Sequence, residues 1–164
     1  MKVKDLERTA NIAWSPAKYP SILLAAGTAA QQLDASFETS AVLELYTLNL
    51  TDPGTEMELK TSTASDHRFH KLAWGAYGSD SSGTIVGGCD NGIMQVYNIQ
   101  KLLNNDNGLM CSQNKHKGVV HSLDFNPFQN NLLASGSAES EIYIWDMNNM
   151  TTPMTPGKHR QWDL

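Results

Sequence analysis

The sequence is poor in charged residues and long apolar runs, and each shortage excludes a class of protein. Only 18% of its 164 residues are charged, with 12 Lys and Arg against 17 Asp and Glu. Such an acidic chain repels the phosphate backbone of nucleic acids. Its longest apolar run is Ile22–Ala26, whereas a membrane-spanning helix needs about 20 residues. We therefore predict no nucleic-acid partner and no segment that crosses a membrane.

Cysteine is also scarce. Cys89 and Cys111 are the 2 cysteines of the chain, and neither has the Cys-x-x-Cys or Cys/His spacing of a metal site. Charged residues occupy the first positions, where a signal peptide would have its apolar segment. We therefore expect a cytoplasmic chain in which both cysteines are reduced, buried or half-buried thiols.

Sequence motifs for catalysis are missing as well. The stretch Gly87–Gly92 is rich in glycine, but it lacks the Lys-Ser/Thr of a phosphate-binding loop and leads into a predicted strand. No serine lies on a G-x-S-x-G turn. His67 and His70 would point to opposite faces of a strand. We predict no catalytic, metal-binding or cofactor-binding residues, no small-molecule substrate and hence no enzyme.

What the sequence does contain is three copies of one unit. Each copy has a first strand that ends in an aromatic residue, an apolar second strand that runs into a small-residue turn, and an alternating third strand. The aromatic residues that end the third strands are Tyr46, Tyr97 and Trp145, at intervals of 51 and 48 residues. These intervals are close to the period of WD and kelch repeats. A weaker fourth strand after each third strand would complete a propeller blade.

The fold that we predict is all-β: a partial, open WD-repeat β-propeller with about three four-stranded antiparallel blades. The expected blades are residues 1–64 with an inserted loop at 29–40, residues 65–115, and an incomplete third blade at 116–150, followed by a tail at 151–164. Propellers close with about four to eight blades, so two apolar faces should meet water. The expected residues of these faces are Ile12, Trp14, Leu24, Leu43 and Leu45 on the first copy, and Leu123, Phe125, Ile142 and Ile144 on the last.

The third copy resembles a WD repeat in its polar residues. In that family a His before the first strand, a Ser or Thr in the second, an acidic residue in the next turn and a Trp in the third form a buried hydrogen-bonded network. The matching residues here are His116, Ser135, Glu139 and Trp145. A buried imidazole and a buried indole N–H each need a partner, so such a network fixes a blade. The second copy departs from the pattern and should have a weaker network or none, because the matching positions hold Ser65, Asn91 and Tyr97.

Several longer stretches go beyond what a generic WD repeat requires: Arg8–Ala17, Ala26–Phe37, Arg68–Gly75, Asn131–Gly136, Glu139–Asn149 and Pro153–Gly157. Together they resemble the N-terminal propeller of the large outer-coat subunit of COPII vesicle coats. The insertion Gln31–Asp34 is the most specific part, since it lies where the repeat spacing requires extra residues. The resemblance covers residues 1–157.

This resemblance implies a non-catalytic scaffold, in a truncated form, that acts in vesicle transport from the endoplasmic reticulum to the Golgi. The implied partners are the smaller WD-repeat propeller subunit and other outer-coat copies, with the inner coat reached only through regions that this chain lacks. The implied location is the cytosolic face of endoplasmic reticulum exit sites and COPII-coated vesicles, with peripheral membrane association through the coat. The candidate interaction residues are Arg68, His70, Lys71, Gln31, Gln32 and Asp34. The alternative is another WD-repeat adaptor that mediates protein–protein interaction.

Overall fold

Each copy of the repeat forms its own antiparallel sheet. The structure, a computed structural model, describes residues 3–30 and 40–156, and within these ranges there are three four-stranded sheets. The strands of the first are β1 (Ala10–Trp14), β2 (Leu23–Thr28), β3 (Ala41–Thr47) and β4 (Glu58–Ser65). Those of the second are β5 (Phe69–Gly75), β6 (Thr84–Cys89), β7 (Ile93–Asn98) and β8 (Leu109–Asn114). Those of the third are β9 (Val120–Phe125), β10 (Leu132–Ser137), β11 (Ile142–Asp146) and β12 (Asn149–Met154).

The order of the strands within each sheet follows the chain, so every connection joins neighbouring strands. The first strands of consecutive sheets pack side by side, β1 against β5 and β5 against β9. This is how consecutive blades of a propeller are arranged. The prediction of an all-β, partial and open WD-repeat propeller is confirmed.

The third blade is complete, which corrects the sequence prediction. Residues 151–154, which were predicted as the start of a tail, form most of β12. This strand pairs with β11, with Met154 opposite Ile144 and Asn149 opposite Asp146. Pro153 cannot donate to a ladder, but β12 is an edge strand, where proline is tolerated. The boundary between the first two blades also moves by one residue, because β4 ends at Ser65.

Helical structure is limited to short connections. A 3-10 turn at Asp90–Gly92 joins β6 to β7, and a helix, α1 (Ile99–Leu103), follows β7. Asn98 caps α1, because its side-chain oxygen accepts a hydrogen bond from the backbone N–H of Lys101. Across the described ranges, no helix is both long and apolar enough to span a lipid bilayer.

The core consists of two apolar layers, one between each pair of adjacent sheets. The layer between the first and second sheets contains Leu43, Leu45, Phe69, Ile85 and Tyr97. The layer between the second and third contains Val86, Met94, Val96, Leu133 and Trp145. Side chains alternate between the two faces of a strand, so one face of the middle sheet contributes to each layer. Each blade is therefore stabilised by its neighbours.

The predicted open faces are partly correct. Ile12, Trp14 and Ile142 are each more than half exposed, as expected. Leu43 and Leu45 are buried, however, because the alternation of β3 directs them towards the second sheet. Leu24 and Leu123 are buried as well, while Phe125 and Ile144 are half-buried.

Candidate functional site

The third blade contains a buried hydrogen-bonded network. The Trp145 indole Nε1–H donates to the Ser135 Oγ over 2.7 Å, and the Ser135 Oγ lies 2.7 Å from the His116 Nε2. All three residues are almost completely buried. The strands position them: Ser135 is on β10, Trp145 is on the neighbouring strand β11, and His116 lies in the segment before β9. The structure thus brings together three of the four residues that the WD pattern predicted.

The acidic residue of this network is Glu141, not Glu139 as predicted. The Glu141 Oε2 lies 3.4 Å from the His116 Nδ1 and also accepts from the Lys117 N–H and the Ser137 hydroxyl. Glu139 is exposed in the turn before β11. The positive φ of 59° at Ser140 reverses the chain between the two acids, so the later one meets the imidazole.

These contacts define the proton positions in the network. Glu141 can only accept from the His116 Nδ1–H, which leaves the Nε2 lone pair to accept from the Ser135 O–H. Burial lowers the pKa of His116, although the nearby Glu141 carboxylate opposes this. The pKa of Glu141 is lowered, first by the Lys117 backbone N–H. A neutral imidazole between a hydroxyl and a carboxylate therefore has both ring nitrogens occupied.

The second blade has a network of different composition, which the sequence reasoning missed. The Gln95 Oε1 accepts from the Tyr97 hydroxyl over 3.0 Å and from the Ser65 hydroxyl over 2.8 Å. Gln95 and Tyr97 are buried, and burial raises the pKa of Tyr97. The sequence does carry a signal for this network: Gln95 lies two positions before Tyr97, so both side chains are on the same face of β7.

The first blade uses an ion pair at the matching position. The Glu44 carboxylate is 3% exposed and accepts from the Arg8 guanidinium through Nε and Nη2, each over 2.8 Å. The Tyr46 hydroxyl donates to the Glu44 Oε2 over 2.8 Å. The pKa of Tyr46 is raised, first by burial and then by this carboxylate. Arg8 thus fixes the segment before β1 across the outer face of the first sheet.

Of the candidate interaction residues, Arg68 directly precedes β5, and His70 and Lys71 lie near the start of that strand. Arg68 donates to the Ala29 carbonyl at 3.5 Å, and the Ala30 N–H donates to the Phe69 carbonyl over 3.0 Å. These contacts place Ala29 and Ala30 beside the start of β5. Gln31, Gln32 and Asp34 lie outside the described residues.

His70 connects the second and third blades. Its Nε2–H donates to the Asp90 Oδ1 over 2.6 Å, and its ring lies perpendicular to that of His121, with 5.2 Å between the ring centroids. The His70 Nδ1 is buried and has no hydrogen-bond partner among the described residues. His70 therefore has a packing role between blades, whereas Lys71 is exposed at the surface.

Neither cysteine has features of a reactive site. Cys89 is buried, and burial, followed by the charge of Asp90, raises the pKa of its thiol to about 12. Burial also raises the pKa of Cys111. Among residues 3–30 and 40–156, no group of three or more His, Cys, Asp or Glu side chains could hold a metal ion.

Three consecutive four-stranded blades, with a His–Ser–Trp network in the third, define a WD-repeat protein of the β-propeller class. No protein-family model matches the sequence. Human protein transport protein Sec31A is 51% identical over 166 residues, which is 98% of this chain and 14% of that protein. Mouse protein transport protein Sec31B is 49% identical over 165 residues, again 98% of this chain and 14% of that protein.

A solved structure of COPII on membranes, at the outer coat vertex, gives the same result in three dimensions. One of its chains matches with a TM-score of 0.76 and 37% identity, over 93% of this chain and 39% of that chain. The present chain is therefore Sec31-like over almost its whole length, and the predicted resemblance to the large COPII outer-coat subunit is confirmed. It spans 14% of the length of the two Sec31 relatives.

Proposed function

We propose that this chain is a scaffold segment of the COPII outer coat and acts in vesicle transport from the endoplasmic reticulum to the Golgi. The observation that carries the proposal is the match to a chain of the outer coat vertex, with 37% identity over 93% of this chain. A scaffold acts through its surface contacts and needs no bound substrate.

The partners that we propose are other coat subunits, namely the smaller WD-repeat propeller subunit and further outer-coat copies. The corresponding location is the cytosolic face of endoplasmic reticulum exit sites and of COPII-coated vesicles, with membrane association through the coat. The match to a chain in a structure of COPII on membranes supports membrane association through the coat.

We propose further that the chain is not an enzyme. The polar side chains that could suggest catalysis have structural partners instead: His116 contacts Ser135 and Glu141, and His70 contacts Asp90. A buried network with every member satisfied specifies one blade conformation. This use of the histidines supports a structural role for them.

For the coat contact we propose the surface around Lys71, beside Arg68. Lys71 is exposed on the inner strand of the middle blade, so a partner can reach its ammonium group. Charge pairs at the rim of an interface mainly affect the rate and specificity of association. Replacing Lys71 should therefore weaken a coat contact while it leaves the fold intact.

The test is Lys71→Glu in the tagged 164-residue chain. Lys60→Glu is the matched control, because Lys60 is an exposed lysine on the outer strand β4. We expect Lys71→Glu to reduce both co-purification of coat subunits and recruitment to exit sites, with Lys60→Glu unchanged. Equal recovery for both variants would refute the proposed surface. Co-purification with a ligase or signalling complex instead would refute the coat assignment.

A further inference from the structure

A polar cleft of about 660 Å³ lies between the second and third blades. Its walls include Tyr77, Asn98, Met110, Asn130, Asn131 and Asn148. This volume is within the range of about 300 to 1,000 Å³ that is typical of ligand pockets. None of the lining side chains carries a charge.

The strand register places this cleft away from the proposed coat-contact surface. Gly75, Thr84 and Asn98 are paired across β5, β6 and β7 at one end of the second sheet. Phe69 and Cys89, beside Lys71, are paired at the opposite end. The cleft lies at the Asn98 end, so its occupant and a partner at Lys71 would not compete.

One wall of the cleft offers a hydrogen-bond acceptor that is held in place. The Asp146 Oδ1 accepts from the Asn131 Nδ2 over 3.0 Å and from the Asn148 Nδ2 over 2.9 Å. These bonds orient both carboxamides, and the Asn148 Oδ1 accepts from the Tyr77 hydroxyl. Within the described residues the Asn131 Oδ1 has no donor, so it can accept from a ligand N–H.

The other wall offers a donor. The Asn98 Oδ1 is occupied by the Lys101 N–H at the start of α1. The Asn98 Nδ2 makes no hydrogen bond to any described residue, so its two N–H groups can donate to a ligand carbonyl. Met110, which is 52% exposed on the edge strand β8, adds a flexible apolar surface beside them.

An oriented acceptor, an oriented donor and an apolar side chain without charge match the backbone of an extended polypeptide. Its N–H and C=O groups would pair with the two carboxamides, and one of its apolar side chains would contact the thioether. We propose that this cleft binds a short, extended and uncharged peptide segment of a partner protein. The proposal does not rest on the coat function, because the site lies at the other end of the sheet.

The experiment is a selection of random 12-residue peptides displayed on phage against the folded 164-residue chain, with folding checked by circular dichroism. Enriched peptides are then synthesised and titrated by calorimetry. We expect uncharged central residues, and at least a tenfold weaker affinity for Asn131→Leu, which removes the acceptor. Asn114→Leu is the control, because it makes the same change at the far end of β8, and it should bind the enriched peptides as tightly as the parent chain does.

A second pair of variants keeps the test valid if Asn131→Leu unfolds. Met110→Glu places a charge beside the cleft, whereas Gln113→Glu places the same charge further along β8, opposite Met94 on the face towards the third sheet. We expect only Met110→Glu to abolish binding. The proposal is overturned if no peptide is enriched, if enriched peptides bind both variants of either pair equally, or if only oligosaccharides compete for the site.

Discussion

Removing the Trp145 side chain tests the network that closes the third blade. Trp145 is fully buried and donates to the Ser135 Oγ over 2.7 Å. Truncation of a buried Trp to Ala costs about 3 to 5 kcal/mol through the lost burial and the cavity. The lost hydrogen bond adds about 1 kcal/mol. We therefore expect Trp145→Ala to lower the free energy of unfolding by about 4 to 6 kcal/mol.

The measurement is equilibrium urea unfolding followed by far-ultraviolet circular dichroism, since the substitution removes a fluorophore. With a urea dependence of about 2 kcal/mol/M, the midpoint should fall by about 2 to 3 M. Lys71→Ala is the control: Lys71 is exposed, and a surface change of this kind stays within about 0.5 kcal/mol. If Lys71→Ala lowers the midpoint as much as Trp145→Ala, the division between a structural network and an interaction surface is wrong.

A graded variant covers the case in which Trp145→Ala does not fold at all. Trp145→Phe retains an aromatic ring but loses the N–H that meets Ser135. Combined with Ser135→Ala, it should cost about 1 kcal/mol less than the sum of the two single changes, because both remove the same hydrogen bond. Additive effects would show that this bond contributes nothing to stability.

Three further outcomes are expected from the other networks and turns. Burial lowers the pKa of His116 from 6.5, so the unfolded chain binds the proton more readily and stability should fall as the pH drops below about 6.5. Urea unfolding between about pH 7.5 and about pH 5.5 should show a smaller change in stability with pH for His116→Gln than for the parent chain. Equal pH dependence in the two proteins would contradict this. Arg8→Ala leaves the buried Glu44 carboxylate without its cation, so it should lower the stability measured by thermal unfolding by about 3 kcal/mol. Glu44→Gln leaves only a half-exposed Arg8 unpaired and should cost about 1 kcal/mol. A larger cost for Glu44→Gln than for Arg8→Ala would refute the ion-pair argument. Gly92 has a φ of 75°, and a Cβ added there would collide with the His116 carbonyl, so Gly92→Ala should cost at least about 2 kcal/mol. Gly54→Ala, the control, should change the melting midpoint little. A similar loss for both variants would contradict the backbone argument.

The blades were predictable because their strands repeat. Residues 87–98 and 135–146 align without a gap, and their alternation indicates strands without any tertiary information. The last strand was not predictable in the same way. Asn149–Met154 contains Pro153 and little apolar alternation, so it becomes a strand only because β11 provides a ladder to pair with. Propensity cannot show pairing that depends on a neighbouring strand.

The networks show a similar limit. His116, Ser135 and Trp145 could be found from a residue pattern, but the choice between Glu139 and Glu141 depended on the left-handed turn at Ser140. Spacing alone gave an acidic residue in the right turn and the wrong position within it.

The networks of the first two blades differ in charge because the sheets that cover them differ. Glu44 lies on the face of β3 opposite Leu43 and Leu45, which pack against the second sheet, so no described sheet covers its side and water can reach the Arg8 guanidinium. Gln95 lies on the face of β7 that packs against the first sheet, as its neighbour Tyr97 does. An ion there would lose its hydration on every side, and a neutral carboxamide avoids that cost. The first two blades therefore keep the position of this polar residue, and its charge differs with whether a second sheet covers its face.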